Sequence, residues 1–127
     1  MAVELPRSAC CLVTRDDKVL SVSRPGRESA LALPGGKREP GESDRTTAAR
    51  ETWEETGIIV MNLSSLFEGE CEGYWCTCFE AESFFGEPRN RGEGLVSWVY
   101  PAQLLQGAFQ EFNRKVFDTW EKKKDRA

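Results

Sequence analysis

Residues 36–58 of the chain read GKREPGESDRTTAARETWEETGI, a segment in which glutamates recur at short, fixed offsets. We predict a helix from Ser43 to Thr56 within it. Ser43 or Asp44 can serve as the N-cap, because either side chain can accept a hydrogen bond from the first helical turn. Gly57 stands where a left-handed C-cap residue is expected. The segment therefore predicts a loop, a helix and a glycine stop, in that order.

On that helix, Glu51, Glu54 and Glu55 lie at positions i, i+3 and i+4 and so share one face. Like charges on one face repel each other, so the cluster is most easily kept when a cation binds to it. Carboxylate oxygens suit hard divalent cations such as Mg²⁺ and Mn²⁺. The segment therefore predicts a metal site for phosphoryl chemistry, and the alternative is a solvated acidic helix face.

The segment resembles the Nudix box, whose pattern is G-x5-E-x7-R-E-U-x-E-E-x-G-U, where U is a bulky aliphatic residue. One position departs from the pattern, because Thr52 stands where an aliphatic residue is expected. Threonine keeps a β-branched methyl group for packing, so we expect a small effect on the helix and none on the metal ligands. The matching positions are Gly36, Glu42, Arg50, Glu51, Glu54, Glu55, Gly57 and Ile58.

The resemblance implies an α+β protein with the Nudix fold, a mixed β-sheet sandwiched between α-helices. It further implies that Arg50 holds and orients the carboxylates of the box rather than touching substrate. Glu42 is expected to pair with Arg50 or to assist metal binding through a water. The cofactor implied is Mg²⁺, with Mn²⁺ as a substitute. Its implied ligands are the backbone carbonyl of Gly36 and the carboxylates of Glu51, Glu54 and Glu55.

The length and charge of the chain limit its size class and its partners. A chain of 127 residues fits one domain with one core, so we expect residues 1–127 to form a single domain. The net charge of −4 disfavours nucleic acid and is compatible with a small nucleotide that brings its own metal. We find no apolar run of membrane-spanning length and no signal-peptide pattern. We expect a cytoplasmic monomer or homodimer with no membrane partner.

The chain contains five cysteines and no histidine. Because the cysteine number is odd and no C-x-x-C pair occurs, we expect buried, reduced thiols rather than a zinc site. The lack of histidine leaves carboxylates, lysine, tyrosine, cysteine or a metal-bound hydroxide as the general base. Our candidates are Glu54 and Glu93. Related enzymes often present a glutamate from the loop that contains Glu93, and the alternative is a solvent-exposed loop residue.

The rest of the chain reads as a mixture of strands and short helices. Residues 101–105 predict a helical turn and residues 109–123 a final helix, followed by a tail that frays in solvent. Within the first helix, Trp53 is expected to face the protein together with Ala48, Ala49 and Thr52. Strands and helices do not alternate strictly, which favours a mixed sheet. Strands are predicted over residues 8–14, 19–24, 31–33, 58–70 (interrupted near 62–65), 74–81 and 95–100, with loops at 25–30 and 84–94.

Five side chains outside the metal site are candidates for binding a nucleotide, with surface or core packing as the alternative for each. Arg24 ends a predicted strand, where MutT-type members of the family carry an arginine that contacts phosphate, and Lys37 follows Gly36. Tyr74 and Trp75 can stack on a base. Asn113 lies near the start of the last helix, and its amide can donate to and accept from a purine edge.

Together these features predict hydrolysis of a nucleoside triphosphate to a nucleoside monophosphate and pyrophosphate, by attack of water on phosphorus. The resemblance to MutT-type members favours an oxidised purine such as 8-oxo-dGTP. The alternative is a dinucleoside polyphosphate hydrolase, because that subfamily carries a tyrosine close to the position of Tyr74. A non-catalytic nucleotide-binding domain is disfavoured, because such domains typically lose glutamates of the box and this chain keeps them.

Overall fold

The computed structural model of the protein describes residues 4–24, 26–91, 94–106 and 109–126. Strands and helices are mixed along the chain in these residues, as the sequence predicts. In chain order the elements are β1 (Arg7–Leu12), β2 (Thr14–Arg15), β3 (Lys18–Arg24), β4 (Arg27–Ala32), β5 (Gly35–Lys37), α1 (Asp44–Thr56), β6 (Ile59–Cys71), β7 (Tyr74–Phe85), β8 (Val96–Val99), a 3₁₀ helix (Pro101–Leu105) and α2 (Gln110–Asp125).

The described strands form two sheets. The first has the order β5-β1-β7-β6, in which β1 runs parallel to β7 and the other two pairs are antiparallel. In the second, β3 pairs antiparallel with β2, β4 and β8. The chain passes from one sheet to the other at Val13, whose carbonyl accepts a hydrogen bond from the amide of Leu20 at 2.9 Å. The sequence predicts the mixed sheet but not this division, because a strand pattern does not reveal which neighbours will pair.

The mixed sheet lies between the two helices, which confirms the predicted α+β architecture. Alternate residues of β1 point to opposite faces of the sheet. On one face, Cys10 and Leu12 pack in a buried cluster with Val116 of α2. On the other face, Cys11 packs in a second buried cluster with Ala48 of α1. Burial of a large aliphatic side chain contributes about 1.5–3 kcal/mol, so both helices are held firmly on the sheet.

Helix α1 begins and ends as its sequence predicts. The hydroxyl of Ser43 accepts a hydrogen bond from the amide of Thr46 at 3.1 Å, and Gly57 adopts a left-handed conformation with φ of 79°. Thr52, the departure from the box pattern, is fully buried and its hydroxyl donates to the carbonyl of Ala48 at 2.7 Å. The hydroxyl is therefore satisfied inside the core, and threonine is tolerated at an aliphatic position.

One residue of α1 faces the other way from our expectation. Trp53 is 44% exposed, and the guanidinium of Arg91 lies 4.0 Å from its ring centre. Each residue turns the helix by about 100°, so a position directly after buried Thr52 leaves the buried stripe. The expectation that Trp53 faces the protein was therefore wrong, whereas Ala48 and Thr52 do face it.

Several predicted boundaries also change. Strand β4 begins at Arg27, inside the predicted loop at residues 25–30, because it pairs with β3. Strand β7 continues to Phe85, because residues at its end pair with the start of β6. Strand β6 is continuous, although its pairing register shifts between Ser65 and Phe67. Helix α2 extends to Asp125 instead of fraying from residue 122, and Lys123 is tied to Glu80 by an ion pair of 2.7 Å.

The described cysteines are free, as predicted, and most are buried in the two clusters. Burial raises the pKa of the Cys11 thiol to about 12, so this group stays protonated at neutral pH. In the portions of the chain that the structure covers, no helix combines the length and the apolar character needed to cross a membrane.

Candidate active site

The guanidinium of Arg50 is the centre of the polar network on α1. It donates to Glu42 from Nε at 2.6 Å and from Nη2 at 3.0 Å. Its Nη1 donates to Glu51 at 2.8 Å and lies 3.3 Å from a carboxylate oxygen of Glu54. Its Nη2 also donates to the carbonyl of Lys37 at 3.1 Å. Its Nη1 also lies 3.7 Å from a carboxylate oxygen of Glu39, so Arg50 contacts four carboxylates of the segment and offsets their mutual repulsion, as the resemblance implies for the carboxylates of the box.

Glu42 fixes the loop before α1 onto the helix. Its carboxylate accepts hydrogen bonds from Arg50, from the amide of Glu39 at 3.0 Å and from the hydroxyl of Thr47 at 2.9 Å. These bonds, with those from Arg50 the strongest, lower the pKa of Glu42 from 4.5 to about 2. Glu42 is thus ionised at neutral pH and already engaged with Arg50, which matches one of the two roles expected for it.

Gly36 is positioned directly against the carboxylate of Glu51. A Cβ atom at residue 36 would lie 2.6 Å from Cδ of Glu51, so only glycine leaves room for this side chain. Gly36 is held in place because it pairs with Ala9 of β1. Burial raises the pKa of Glu51 despite the opposing effect of Arg50. The backbone of β5 and the carboxylate of Glu51 are therefore in direct contact where the metal site is expected.

The other two glutamates of the helix differ in their surroundings. Glu55 accepts a hydrogen bond from the amide of Gly35 at 2.8 Å and lines a cavity. The side chain of Glu54 is 47% exposed and makes its contact with Arg50 at longer distance. Glu54 is therefore the carboxylate that can move most freely, whereas Glu55 is tied to β5.

The carboxylates of the box are chemically suited to a hard divalent cation, although they are not gathered into a metal site. Across the described ranges, no group of three acidic, cysteine or histidine side chains is placed to hold a metal ion. The carboxylates are engaged with Arg50 and with the amide of Gly35 instead. Their carboxylate oxygens are the type of ligand that Mg²⁺ or Mn²⁺ prefers. Glu51, Glu54 and Glu55 are the residues that would hold the ion.

A cavity of about 460 Å³ opens beside this network. Gly36, Lys37 and Glu55 line it on the side of the box, and Tyr74 and Asn113 also line it. Its volume lies within the usual range of small-molecule sites. The structure therefore brings Glu55 of the box to the same cavity as three of the predicted nucleotide-binding residues. These are Lys37, Tyr74 and Asn113.

Asn113 is buried rather than exposed, which removes the ordinary surface role considered for it. Its side chain is 2% exposed, and its Nδ2 donates to the carbonyl of Leu104 at 3.1 Å. Within the described residues, its Oδ1 and its second amide hydrogen make no hydrogen bond. A buried amide with a free donor and a free acceptor is well suited to bind a polar ligand edge in the cavity.

The remaining predicted site residues are placed less directly. The ammonium of Lys37 lies 5.6 Å from the ring centre of Tyr74. Trp75 does not line the cavity; its indole donates to Glu68 at 3.0 Å from the opposite face of β7, because neighbouring strand residues alternate. Arg24 ends β3 beside the cavity-lining Ser23, and nothing further is described of its side chain. Glu93 lies outside the described residues.

The end of the loop that carries Glu93 is anchored next to the cavity. Gly94 lines the cavity and packs so closely on the carbonyl of Ser23 that no side chain would fit there. The amide of Leu95 donates to the hydroxyl of Ser23 at 2.9 Å. Residue 94 is thus fixed at the cavity edge by strand β3.

The sequence interpretation missed some residues that line the cavity. Glu72 and Phe109 are the polar and aromatic examples. Glu72 is followed by Gly73 between two predicted strands, which is a hairpin signal that could have drawn attention to it. No sequence signal shows that this hairpin lies beside the box, because that contact is tertiary.

Comparison with known proteins identifies the family. The family model for the NUDIX domain matches residues 4–120. This chain belongs to the NUDIX family. A MutT-like protein of Streptomyces ambofaciens is 30% identical over 114 residues, which cover 87% of this chain and 74% of that protein. YvcI, an uncharacterised Nudix hydrolase of Bacillus subtilis, is 36% identical over 104 residues, which cover 74% of this chain and 65% of that protein.

The fold agrees with that assignment. The crystal structure of a MutT Nudix hydrolase from Burkholderia pseudomallei matches with a TM-score of 0.76 and 22% sequence identity, covering 90% of this chain and 96% of that chain. The predicted Nudix fold and MutT-like family are confirmed. As a Nudix hydrolase that keeps the glutamates of the box, the protein is a pyrophosphohydrolase.

Proposed function

We propose that this Nudix hydrolase cleaves a nucleoside triphosphate, including an oxidised purine such as 8-oxo-dGTP, into a nucleoside monophosphate and pyrophosphate. The observation that carries the proposal is the shared cavity. It joins Glu55 of the box to the buried amide of Asn113, so one small nucleotide could meet phosphate chemistry and base recognition together. The volume of about 460 Å³ suits one nucleoside better than two.

Each residue near the box has a distinct task in this proposal. Arg50 holds the carboxylates in place, and Glu55 is oriented by the amide of Gly35. Lys37 lines the cavity and screens the charge of the phosphates. Bound Mg²⁺, or Mn²⁺, would supply Lewis-acid activation of the phosphoryl oxygens. Arg24 remains our proposed contact to substrate phosphate.

Glu54 and Glu93 are the proposed acceptors for the proton of the attacking water. The carboxylate of Glu54 is half-exposed and contacts Arg50 at longer distance, so it could turn towards a substrate water. Glu93 directly precedes Gly94, which lines the cavity. The proton would pass from water to one carboxylate as oxygen attacks phosphorus, and pyrophosphate would leave.

The base remains open within this proposal. A relative from Mycobacterium tuberculosis is named for 8-oxo-dGTP diphosphatase activity and is 34% identical over 80 residues. Another from Escherichia coli is named for CTP pyrophosphohydrolase activity and is 29% identical over 102 residues. Relatives of similar distance thus carry names for a purine and for a pyrimidine, so the base must be tested on this chain.

A second candidate is a dinucleoside polyphosphate hydrolase. The observation that favours it is the position of Tyr74, whose ring lines the cavity beside Lys37 and could stack on a second base. A non-catalytic nucleotide-binding domain is the third candidate. All the carboxylates of the box are present, with Glu42, Glu51 and Glu54 connected to Arg50 and Glu55 bonded to the amide of Gly35, which speaks against it.

The test is incubation of the pure protein with Mg²⁺ and a panel of natural and oxidised triphosphates, diadenosine polyphosphates, ADP-ribose and NADH. Monophosphate and pyrophosphate in equal amounts from one triphosphate would support the proposal. Turnover of dinucleoside polyphosphates alone would favour the second candidate. Binding of nucleotide without turnover would favour the third candidate and refute a catalytic role.

A further inference from the structure

The hairpin between β6 and β7 holds a carboxylate at the edge of the cavity. Cys71 pairs with Tyr74, so only Glu72 and Gly73 form the turn. Their φ values are 52° and 82°, which are the two positive values of a type I′ turn. Such a turn is rigidly connected to both strands. The backbone at Glu72 therefore has a fixed position, which a flexible loop would not give it.

Glu72 and Asn113 line the same cavity and follow residues of one buried cluster. Cys71, directly before Glu72, packs against the buried cluster that contains Phe112, directly before Asn113. The hairpin and the first turn of α2 are thus connected through the core. A base bound in this cavity therefore has the amide of Asn113 and the carboxylate of Glu72 among the groups that line it.

The carboxylate of Glu72 has no competing partner among the described residues. It makes no hydrogen bond and no ion pair there, and the side chain is exposed at the cavity edge. Without a bound cation, a negative charge at this place would repel the phosphates. It is available to accept hydrogen bonds from a ligand that presents donors.

Among the nucleobases, the pattern of hydrogen-bond donors on guanine best matches a carboxylate. An ionised carboxylate is acceptor-only and has two oxygens side by side. Guanine presents two neighbouring donors, N1–H and the N2 amino group, which match those oxygens. Cytosine presents one amino donor beside an acceptor, and adenine does the same, whereas uracil presents N3–H between two carbonyl acceptors. Oxidation of guanine at C8 leaves its N1–H and N2 donors unchanged.

We propose that Glu72 is a specificity-determining residue that binds the N1–H and N2 donors of guanine, so that the substrate is a guanine nucleotide. This inference rests on the proposed hydrolysis of a nucleoside triphosphate in the same cavity. Asn113 would then hold another edge of the purine. Replacement of the carboxylate would remove the preference for guanine and leave the phosphate site intact.

The experiment measures binding separately from turnover. The α,β-methylene analogues of GTP and ATP, which resist cleavage at that bridge, are titrated into the full chain with Mg²⁺ by calorimetry. We expect the wild-type protein to bind the guanine analogue about tenfold or more tightly than the adenine analogue. Glu72→Gln should reduce that ratio to near one. Glu70→Gln, the same charge change at an exposed residue of β6 that does not line the cavity, should keep it.

A second variant separates recognition from folding. Asn adopts positive φ more readily than Glu does, so Glu72→Asn should leave the melting temperature unchanged or raise it while it abolishes the preference. An equal affinity of the wild-type protein for both analogues, or no binding of either, would overturn the inference. A preference that persists in both Glu72 variants would also overturn it.

Hydrolysis of GTP is assayed in parallel, so that the two proposals can fail independently. A wild-type protein that prefers the guanine analogue but releases no pyrophosphate from any triphosphate would refute the proposed function, and the role of Glu72 in base recognition would stand. Rapid hydrolysis of triphosphates without any base preference would support the proposed function and overturn the role of Glu72.

Discussion

The guanidinium of Arg50 holds the carboxylate of Glu42 through two hydrogen bonds, from Nε to Oε2 at 2.6 Å and from Nη2 to Oε1 at 3.0 Å. This pair joins the loop before α1 to the middle of the helix. It leaves Nη1 directed at Glu51, which lies 2.8 Å away. One arginine thus fixes the loop and partly neutralises the acidic helix face at the same time.

The depressed pKa of Glu42 predicts a specific loss of stability in acid. Because the folded-state pKa is about 2 and the ordinary value is 4.5, the ionised form stabilises the fold above pH 4.5. That contribution is lost as the pH falls from 4.5 towards 2. Glu42→Gln should therefore show a flatter fall of melting temperature across this window than the wild-type protein, measured by circular dichroism at several pH values. Parallel curves for the two proteins would contradict the role of this ion pair.

Arg50→Lys tests whether the planar, branched shape of the guanidinium matters in addition to its positive charge. Lysine keeps the positive charge but cannot bind Glu42 and Glu51 from separate nitrogens. We expect a ten- to hundredfold loss of kcat and weaker Mn²⁺ binding by electron paramagnetic resonance, as is typical for residues that orient metal ligands. Arg45→Lys on the same helix is the matched control and should behave as wild type. Full activity of Arg50→Lys would show that charge alone suffices.

Glu54→Gln should reduce kcat by about 10²- to 10⁴-fold, the usual loss for a general base, and more if Glu54 also holds the metal. The side chain is 47% exposed, so the melting temperature should not change. Steady-state kinetics of pyrophosphate release give the answer, with Glu121→Gln on α2 as the control. Glu93→Gln is measured beside it. If one of these two variants loses kcat but keeps Mn²⁺ binding, the residue it replaces is the general base. An unchanged kcat in Glu93→Gln would exclude Glu93.

Gly36→Ala should damage the site through Glu51 alone. The added methyl group would lie 2.6 Å from Cδ of Glu51 and force this side chain away. We expect a loss of Mn²⁺ affinity and of kcat of at least tenfold. In a double-mutant cycle, the alanine substitution at residue 36 should cost little further stability when Glu51 is already alanine. If the losses of stability from the two substitutions were additive, the added methyl group would have to clash with a group other than Glu51.

Asn113→Ala should raise KM more for a preferred purine triphosphate than for pyrimidine triphosphates. It also leaves the carbonyl of Leu104 without its donor, so a destabilisation of about 1–3 kcal/mol is expected in urea unfolding. Val116→Ala, which empties a buried position one turn later on α2, is the control for stability alone. Equal KM changes for all bases in Asn113→Ala would argue against base recognition by this amide.

The sequence was sufficient for the parts of the protein that depend on local spacing. Helix α1 and its caps follow from a serine, a glycine and the offsets between them. The contacts of Arg50 with Glu42 and with Glu51 were expected from the resemblance to the Nudix box. The family and the α+β fold class were accessible for the same reason.

Long-range packing decided the rest. Whether Asn113 is buried or exposed depends on how α2 rests on the mixed sheet, and its helical spacing is the same in both cases. Trp75 and Tyr74 are neighbours in the sequence, yet only the tertiary structure reveals which face of β7 borders the cavity. Glu72 enters the site because a hairpin remote from the box in sequence packs beside it. The spacing of residues determines which side chains share a face within one helix or strand. Which helices and strands pack together depends on the free energy of the whole chain, so it cannot be predicted from any single segment.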